Sequence, residues 1–250
     1  MTGRESDPPP SIAITVGDAA GVGPELAMHC VGLPEVTRRC RPILYGPANA
    51  IAKIGDRVGI PAPINVQDIG DLSLDQLTPG NFNRDTGHAS FLAVEQAVHD
   101  TLAGVTSCIV SCPSQKEAWH AAGVQYPGHT ERLAKMTGVD EFCMMLTSQE
   151  VTCVLVTIHV PLQDVPSMLS VDAVFRAIKL GADAMRARLG RAPRVKVCGL
   201  NPHAGENGLF SHGEEEACIG PAIERARRLG MDVVGPLPPD TAFTPRMRHE

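Results

Sequence analysis

A chain of 250 residues, 43% hydrophobic and 20% charged, is long enough to bury one large core or two modest ones, and its composition excludes an intrinsically disordered protein. A net charge of −6, with no basic run and no stretch of aromatic residues and arginine, argues against nucleic acid as the main partner. No apolar run reaches membrane-spanning length and the N-terminus lacks the apolar core of a signal peptide, so a cytoplasmic protein that avoids membranes is expected.

Residues 1–10 are polar and end in Pro8-Pro9-Pro10, which reads as a flexible tail. "SIAITVGD" follows as a short apolar strand that breaks at Gly17-Asp18. "AAGVGPELAMHCVGL" is a glycine-rich turn running into a helix, with Pro24 near its start. "RPILYGP" and "INVQDIG" are strands on either side of the helix "GPANAIAKIGDRVGI". After a polar stretch at 71–87, "HASFLAVEQAVHDTLAG" has the spacing of an amphipathic helix closed by Gly104.

"SCIVSCP" reads as a buried strand stopped by Pro113, "SQKEAWHAAG" as a short helix, and "YPGHTERLAKMTG" as a loop entering another helix. "EFCMMLTSQEVTCVLVTIHVPLQDVP" holds two apolar strands joined at "TSQE". "SVDAVFRAIKLGADAMRARLG" is a long helix with Ser170 as its N-cap. The strand "RVKVCGLNP", the loop "HAGENGLF", the helix "GEEEACIGPAIERARRLG" and the strand "MDVVGPLPPDTAF" complete the chain. Alternating strands and helices predict an α/β protein with a largely parallel sheet, whose ligands gather where strands end.

The eight cysteines form no CxxC pair and lie in mostly apolar surroundings, as expected of free thiols in a reducing compartment. Among the nine histidines, His129, His159 and His203 fall at helix entries or strand exits, where neutral imidazoles are common ligands of a divalent metal. His29, His99 and His120 fall on helices and His212 and His249 in polar stretches, and none of these five is assigned a role; His88, after "DTG" and before a helix, either is an N-terminal helix residue or lines the cleft.

The glycines at 17, 21 and 23 do not make a GxGxxG fingerprint, and the following strand ends at Tyr45-Gly46 with no acidic residue, so a Rossmann site is rejected. A tight turn is expected instead, leaving the carboxylates of Asp18 and Glu25 near a binding cleft. Lys116, just past a strand exit, either pairs with an anionic ligand or is a solvated helix residue. Asn201 either orients a ligand or holds its loop through a local side-chain bond, the second reading being favoured on sequence; Glu206 lies in the same loop.

"ITVGDAAGVGPEL", "CPSQKEAWHAAG", "YPGHTERLA", "CMML", "LVTIHVPLQDVP", "GLNPHAGENGLF" and "GPLPPDTAF" resemble, in order, the motifs of the PdxA family of pyridoxine biosynthesis, from about Ile12 to Phe243. The resemblance implies two α/β/α domains with a cleft between them, as in the isocitrate/isopropylmalate dehydrogenase class. The first would span 11–126 and the second 127–250, the latter incomplete at its C-terminal end.

The resemblance also implies a homodimer and an NAD- or NADP-linked oxidation and decarboxylation of a β-hydroxy acid, either 4-phosphohydroxy-L-threonine or a related phosphorylated sugar acid. By the same match His129 and Thr130 contact substrate, while His159 and His203 hold a divalent ion (Zn, Mg, Mn or Co). Lys116 and Asp240 are the candidate catalytic groups, with Lys116 or a water carrying the proton and Asp240 or a water filling a coordination position.

The sequence departs from the family pattern in "GDAAG" for "GDPAG" and "PSQKEA" for "PINKEA". The family also continues beyond the equivalent of Glu250 into a "YHDQG" motif that brings a third metal histidine. A dehydrogenase of terephthalate-type cis-dihydrodiol dicarboxylates, or a non-catalytic relative that only binds a small anion, are the alternative expectations.

Overall fold

The computed structural model describes residues 8–61, 65–124 and 129–249. Most of the expected N-terminal tail, and the residues just before His129, lie outside these. The chain divides into two units, Met1–Gly138 and Val139–Glu250.

In the first unit β1 (Ser11–Thr15) leads to α1 (Gly23–Gly32) and a short α2 (Pro34–Thr37). There follow β2 (Arg41–Gly46), α3 (Ala48–Val58), β3 (Val66–Asp68) and α4 (Arg84–Leu102). β4 (Cys108–Ser111), α5 (Lys116–Ala121) and α6 (His129–Thr137) complete the unit. The sheet order is β3-β2-β1-β4, and every pairing is parallel, with Ile12 opposite Pro42 on one side and Cys108 on the other. β1 is covered on both faces, which is why it reads as a continuous apolar run. Ile14 and Leu44 pack on Ala27, Met28 and Ile51 of α1 and α3, while Ala13 and Tyr45 pack on Ala93 and Ala97 of α4.

α4 starts earlier than the sequence suggests. Asn83 caps it by accepting from the backbone N–H groups of Asp85 and Thr86, and the Thr86 hydroxyl accepts from the Asn83 N–H in return. This Asn-x-x-Thr box lies in the polar stretch that reads as loop. At Gly87, α4 comes so close to α5 that a β-carbon would sit 2.2 Å from the Ala118 carbonyl oxygen.

Trp119 of α5 is buried against Val94 and Val98, stands edge-on to Phe91, and donates its indole N–H to Ser90 Oγ. Leu133 and Met136 of α6 join that cluster, so α6 belongs to the first unit and the division falls after it, further along than the 126/127 boundary expected from sequence. β4 corrects a second expectation. It borders the sheet and is largely exposed, with Val110 at 49%.

The second unit begins with an antiparallel pair, β5 (Met144–Thr147) and β6 (Thr152–Leu155). α7 (Val165–Met168) precedes the long α8 (Val171–Leu189), whose first turn is capped by Ser170 Oγ accepting from the Ala173 N–H. β7 (Val195–Cys198) pairs in parallel with β8 (Val233–Leu237). Between them a π-helical turn (Glu215–Ile219) runs into α9 (Gly220–Arg228), and α10 (Pro239–Ala242) and α11 (Pro245–His249) follow β8. Val174, Phe175 and Ile178 of α8 meet Ile219, Ala222, Ile223 and Val233 in one core, against which Val156, Val195 and Val197 pack. All eight cysteines are free thiols, and no described helix is long and apolar enough to cross a membrane.

Candidate active site

The glycine-rich turn after β1 is explained by packing. Gly17 has φ +74°, and a β-carbon there would lie 2.1 Å from the Pro113 carbonyl oxygen; one on Gly23 would lie 2.1 Å from that of Val16. These glycines let backbone meet backbone, a different demand from cradling a pyrophosphate. The Asp18 carboxylate, expected near a cleft, is turned inward. Its carboxylate is buried, with Oδ1 accepting from the Ala20 N–H at 2.8 Å and Oδ2 from the Thr86 hydroxyl at 3.1 Å. Burial pushes its pKa up, against the two hydrogen bonds. Asp18 therefore ties the turn to the start of α4. Glu25 is half-exposed, 4.0 Å from His29.

Lys116 is the first residue of α5 and is exposed, with no hydrogen-bond or ion-pair partner among the described residues. Thr130 sits half-buried in the first turn of α6. His129 opens that helix, and its side chain lies outside the described part.

In the second unit both candidate metal histidines follow strands and share an uncommon backbone. His159, after β6, has φ +56°; His203, after β7, has φ +54°. Positive φ is uncommon for any residue but glycine, with His among the residues that adopt it more readily. His203 also begins a run in which Ala204, Gly205, Glu206 and Asn207 have φ of 53°, 80°, 42° and 55°. Five successive left-handed residues make a left-handed helical turn, at a cost of roughly 1–2 kcal/mol for each ordinary L-residue. Asn tolerates this backbone better than the others. Such strain persists only where the surroundings over-determine it, and it concentrates at functional sites.

Glu215 is the residue that sequence reasoning missed. It starts the π-helical turn and is 3% exposed. Oε1 accepts from the N–H groups of Leu200 (3.0 Å) and Asn201 (2.9 Å), and Oε2 from Asn201 Nδ2 (3.2 Å). Glu214 Oε2 accepts from Asn201 Nδ2 and from the His212 N–H. Burial works to raise the Glu215 pKa, but the donors from Asn201 and Leu200 outweigh it and hold the carboxyl below its usual range. Asn201 thus serves its loop as a donor to two glutamates, not through a local turn bond. The signal in the sequence was the run Glu214-Glu215-Glu216 directly after an irregular loop.

The His203 ring is 59% exposed, and its Nδ1 lies 2.6 Å from Glu206 Oε2. Phe210 stands edge-on to it at 5.6 Å. The hydrogen bond to Glu206, then the charges of Glu206 and Asp240, raise its pKa. Asp240, exposed in the first turn of α10, is thereby within electrostatic reach of His203, and α10 packs on the left-handed turn. His203, Glu206 and Asp240 come together; Lys116 and Thr130 belong to the other unit.

A carboxylate on Nδ1 draws the imidazole proton to that nitrogen and leaves the lone pair on Nε2, the pairing that orients metal-binding histidines. His203 therefore fits the chemistry of a divalent-metal ligand. Among the described residues no three His, Cys, Asp or Glu side chains gather closely enough to hold an ion by themselves, so His203 fits as one member of a larger donor set.

Comparison with known proteins is consistent over almost the whole chain. The sequence is 41% identical to the D-threonate 4-phosphate dehydrogenase of Cupriavidus necator, over 95% of this chain and 76% of that one. It is 41% identical to the 4-hydroxythreonine-4-phosphate dehydrogenase of Desulfosudis oleivorans, over 95% and 75%. The crystal structure of a 4-hydroxythreonine-4-phosphate dehydrogenase from Burkholderia phymatum superposes with a TM-score of 0.82 at 38% identity, over 97% of this chain and 78% of that one. A terephthalate 1,2-cis-dihydrodiol dehydrogenase from Burkholderia xenovorans is more distant, with a TM-score of 0.63 at 26% identity, over 93% and 75%. The chain thus has the α/β fold of these dehydrogenases, the isocitrate/isopropylmalate dehydrogenase-like class, and spans about three quarters of their length. The profile of the family described as "Pyridoxal phosphate biosynthetic protein PdxA" matches residues 30–250, and the chain belongs to the PdxA family.

Proposed function

We propose that the protein is a nicotinamide-dependent dehydrogenase that oxidises a phosphorylated β-hydroxy acid and decarboxylates the product. Its substrate class is that of 4-phosphohydroxythreonine and threonate 4-phosphate, the compounds for which its relatives are named. The observation that carries this reading is the His203–Glu206 pair, an imidazole held on a strained turn with one nitrogen fixed and the other left open.

His159 and His203 would hold a divalent ion, which when bound supplies Lewis-acid polarisation of the substrate hydroxyl and of the ketone formed from it. A bound NAD or NADP would supply the hydride acceptor. Glu206 keeps the proton on Nδ1 of His203, so that Nε2 remains a lone-pair donor. Asp240 adds negative charge beside that ring and favours a bound cation. Lys116, exposed at the start of α5, or a water carries the proton, and His129 and Thr130 at the start of α6 are the substrate contacts. The reading includes a cytoplasmic homodimer; the free thiols are in keeping with a reducing compartment.

The test is turnover. Each phosphorylated acid is supplied with NAD or NADP and with Zn, Mg, Mn or Co in turn, and coenzyme reduction and CO2 release are followed. Metal-dependent reduction with one of the phosphorylated acids is expected. Turnover of a terephthalate-type cis-dihydrodiol alone would move the substrate class, and saturable binding of the phosphorylated acids without reduction would make the protein a binding relative.

A further inference from the structure

We propose that Glu215 is a positioning residue whose buried carboxylate holds the left-handed turn of residues 203–207 and so sets the direction in which the His203 ring points. The inference deepens the functional reading above and rests on it only where metal binding is concerned.

At its ends the turn is bonded from Ala204 N to Asn201 O, from Leu209 N to Glu206 O and from Phe210 N to Gly205 O, and α10 and β8 pack on it. The contacts of His203 with Glu206 and Phe210 are internal to the loop and last only while its left-handed backbone is held, and Asp240 of α10 acts on the ring by charge. The loop is tied to the body of the unit where it enters and leaves. Gly199 donates to the Leu237 carbonyl, the N–H groups of Leu200 and Asn201 both donate to Glu215, and the His212 N–H donates to Glu214.

Glu215 does more than receive the entering strand. A β-carbon on Gly205, in the middle of the turn, would lie 2.8 Å from its Oε2, and one on Gly199 would lie 3.2 Å from its Oε1. The loop is therefore moulded around this carboxylate. A carboxylate suits the place because one oxygen takes two backbone donors while the other takes the Asn201 amide; a glutamine would present one acceptor oxygen and turn an N–H2 group toward donors. The π-helical turn at 215–219 also fits, since such widened turns recur at functional sites.

The test uses the full chain with Glu215→Gln. Ring nitrogen signals of His203 are read by NMR, assigned with His203→Ala, and Zn2+ affinity is read by calorimetry without substrate. The wild-type ring should show a proton held at Nδ1. In Glu215→Gln that preference should weaken and Zn2+ affinity should fall by about tenfold or more. In the His203→Ala background the same substitution should leave Zn2+ affinity unchanged, because Glu215 acts through that ring.

Unchanged ring signals in a folded Glu215→Gln protein would overturn the proposal, as would an equal loss of affinity with and without His203. If Glu215→Gln fails to fold, Asn201→Ala, which removes only the side-chain donors to Glu214 and Glu215, decides: a ring shift in the same direction is expected, and none would overturn the proposal. A wild-type protein that takes up no Zn2+ would defeat the metal reading while the ring signals still judged Glu215.

Discussion

Gly87→Ala sets two opposing effects against each other. Alanine in place of glycine inside a helix contributes roughly 0.5–1 kcal/mol to its stability. The new methyl, however, would sit 2.2 Å from the Ala118 carbonyl oxygen and 2.3 Å from its carbon. Those atoms are backbone and cannot swing aside, so α4 and α5 must separate. Overpacking costs typically 1–3 kcal/mol, and a contact this short against fixed backbone falls in the upper part of that range, roughly 2–3 kcal/mol, which leaves a net loss of about 1–2.5 kcal/mol. For a chain of this size that lowers the thermal midpoint by roughly 2–10 °C.

The matched control is Gly32→Ala, at the end of α1, where a β-carbon meets nothing within 4 Å. Its midpoint should hold or rise. Because α5 opens with Lys116, Gly87→Ala should also lower turnover under conditions where the protein remains folded. Calorimetric melts of the three proteins check the stability argument. Equal midpoints for wild type and Gly87→Ala would refute the close approach of the two helices.

Asp18→Asn should stabilise the protein at neutral pH without burying a charge, since the asparagine oxygen still accepts from the Ala20 N–H while its amide donates to the Thr86 hydroxyl, which turns its own proton to the Asn83 carbonyl. The Asp18 pKa is raised in the folded state, so the aspartate's contribution is fully present below the ordinary Asp range and is lost as pH rises through the folded value. The asparagine advantage should therefore be largest near neutrality and vanish in acid, and chemical unfolding across pH will show it; an advantage independent of pH would contradict this account. His159→Ala and His203→Ala should each weaken divalent-metal binding in equilibrium dialysis while lowering the metal-free thermal midpoint only slightly, because both side chains are exposed and alanine adopts the positive φ less readily than histidine. A large loss of stability without metal would mark either residue as structural.

The elements of the chain were legible where hydrophobic pattern and punctuation agree. The apolar runs of β1, β2 and β7, the Ser170 cap, and the glycines at 59 and 190 that end α3 and α8 in left-handed caps all carry their structure locally. The start of α4 was not legible, because Asn83 and Thr86 lie in a polar stretch and their reciprocal bonds leave no hydrophobic trace. Nor was the exposure of β4, since composition records what a strand is made of and not where it stands in a sheet. At the candidate site, the position of His203 after a strand was plain. Its left-handed backbone and the inward role of Glu215 were not, because both depend on contacts between residues brought together by the fold. Asp18 misled for the same reason: a carboxylate in a glycine-rich turn looks available until Thr86, far along the chain, is seen to bind it.

The parallel sheet of the first unit also has a consequence in time. β1 lies between β2 and β4, so Ile12 needs Pro42 on one side and Cys108 on the other. At ribosomal speeds of about 5–20 residues per second, β4 is synthesised some 5–20 s after β1. During that interval β1 can pair only with β2, and one of its edges stays open while α4, which covers its other face, is also still being made. Non-local pairings of this kind form slowly even in the finished chain. A nascent chain paused before Cys108 thus carries an exposed parallel edge, and that edge is where a ribosome-bound chaperone would find it.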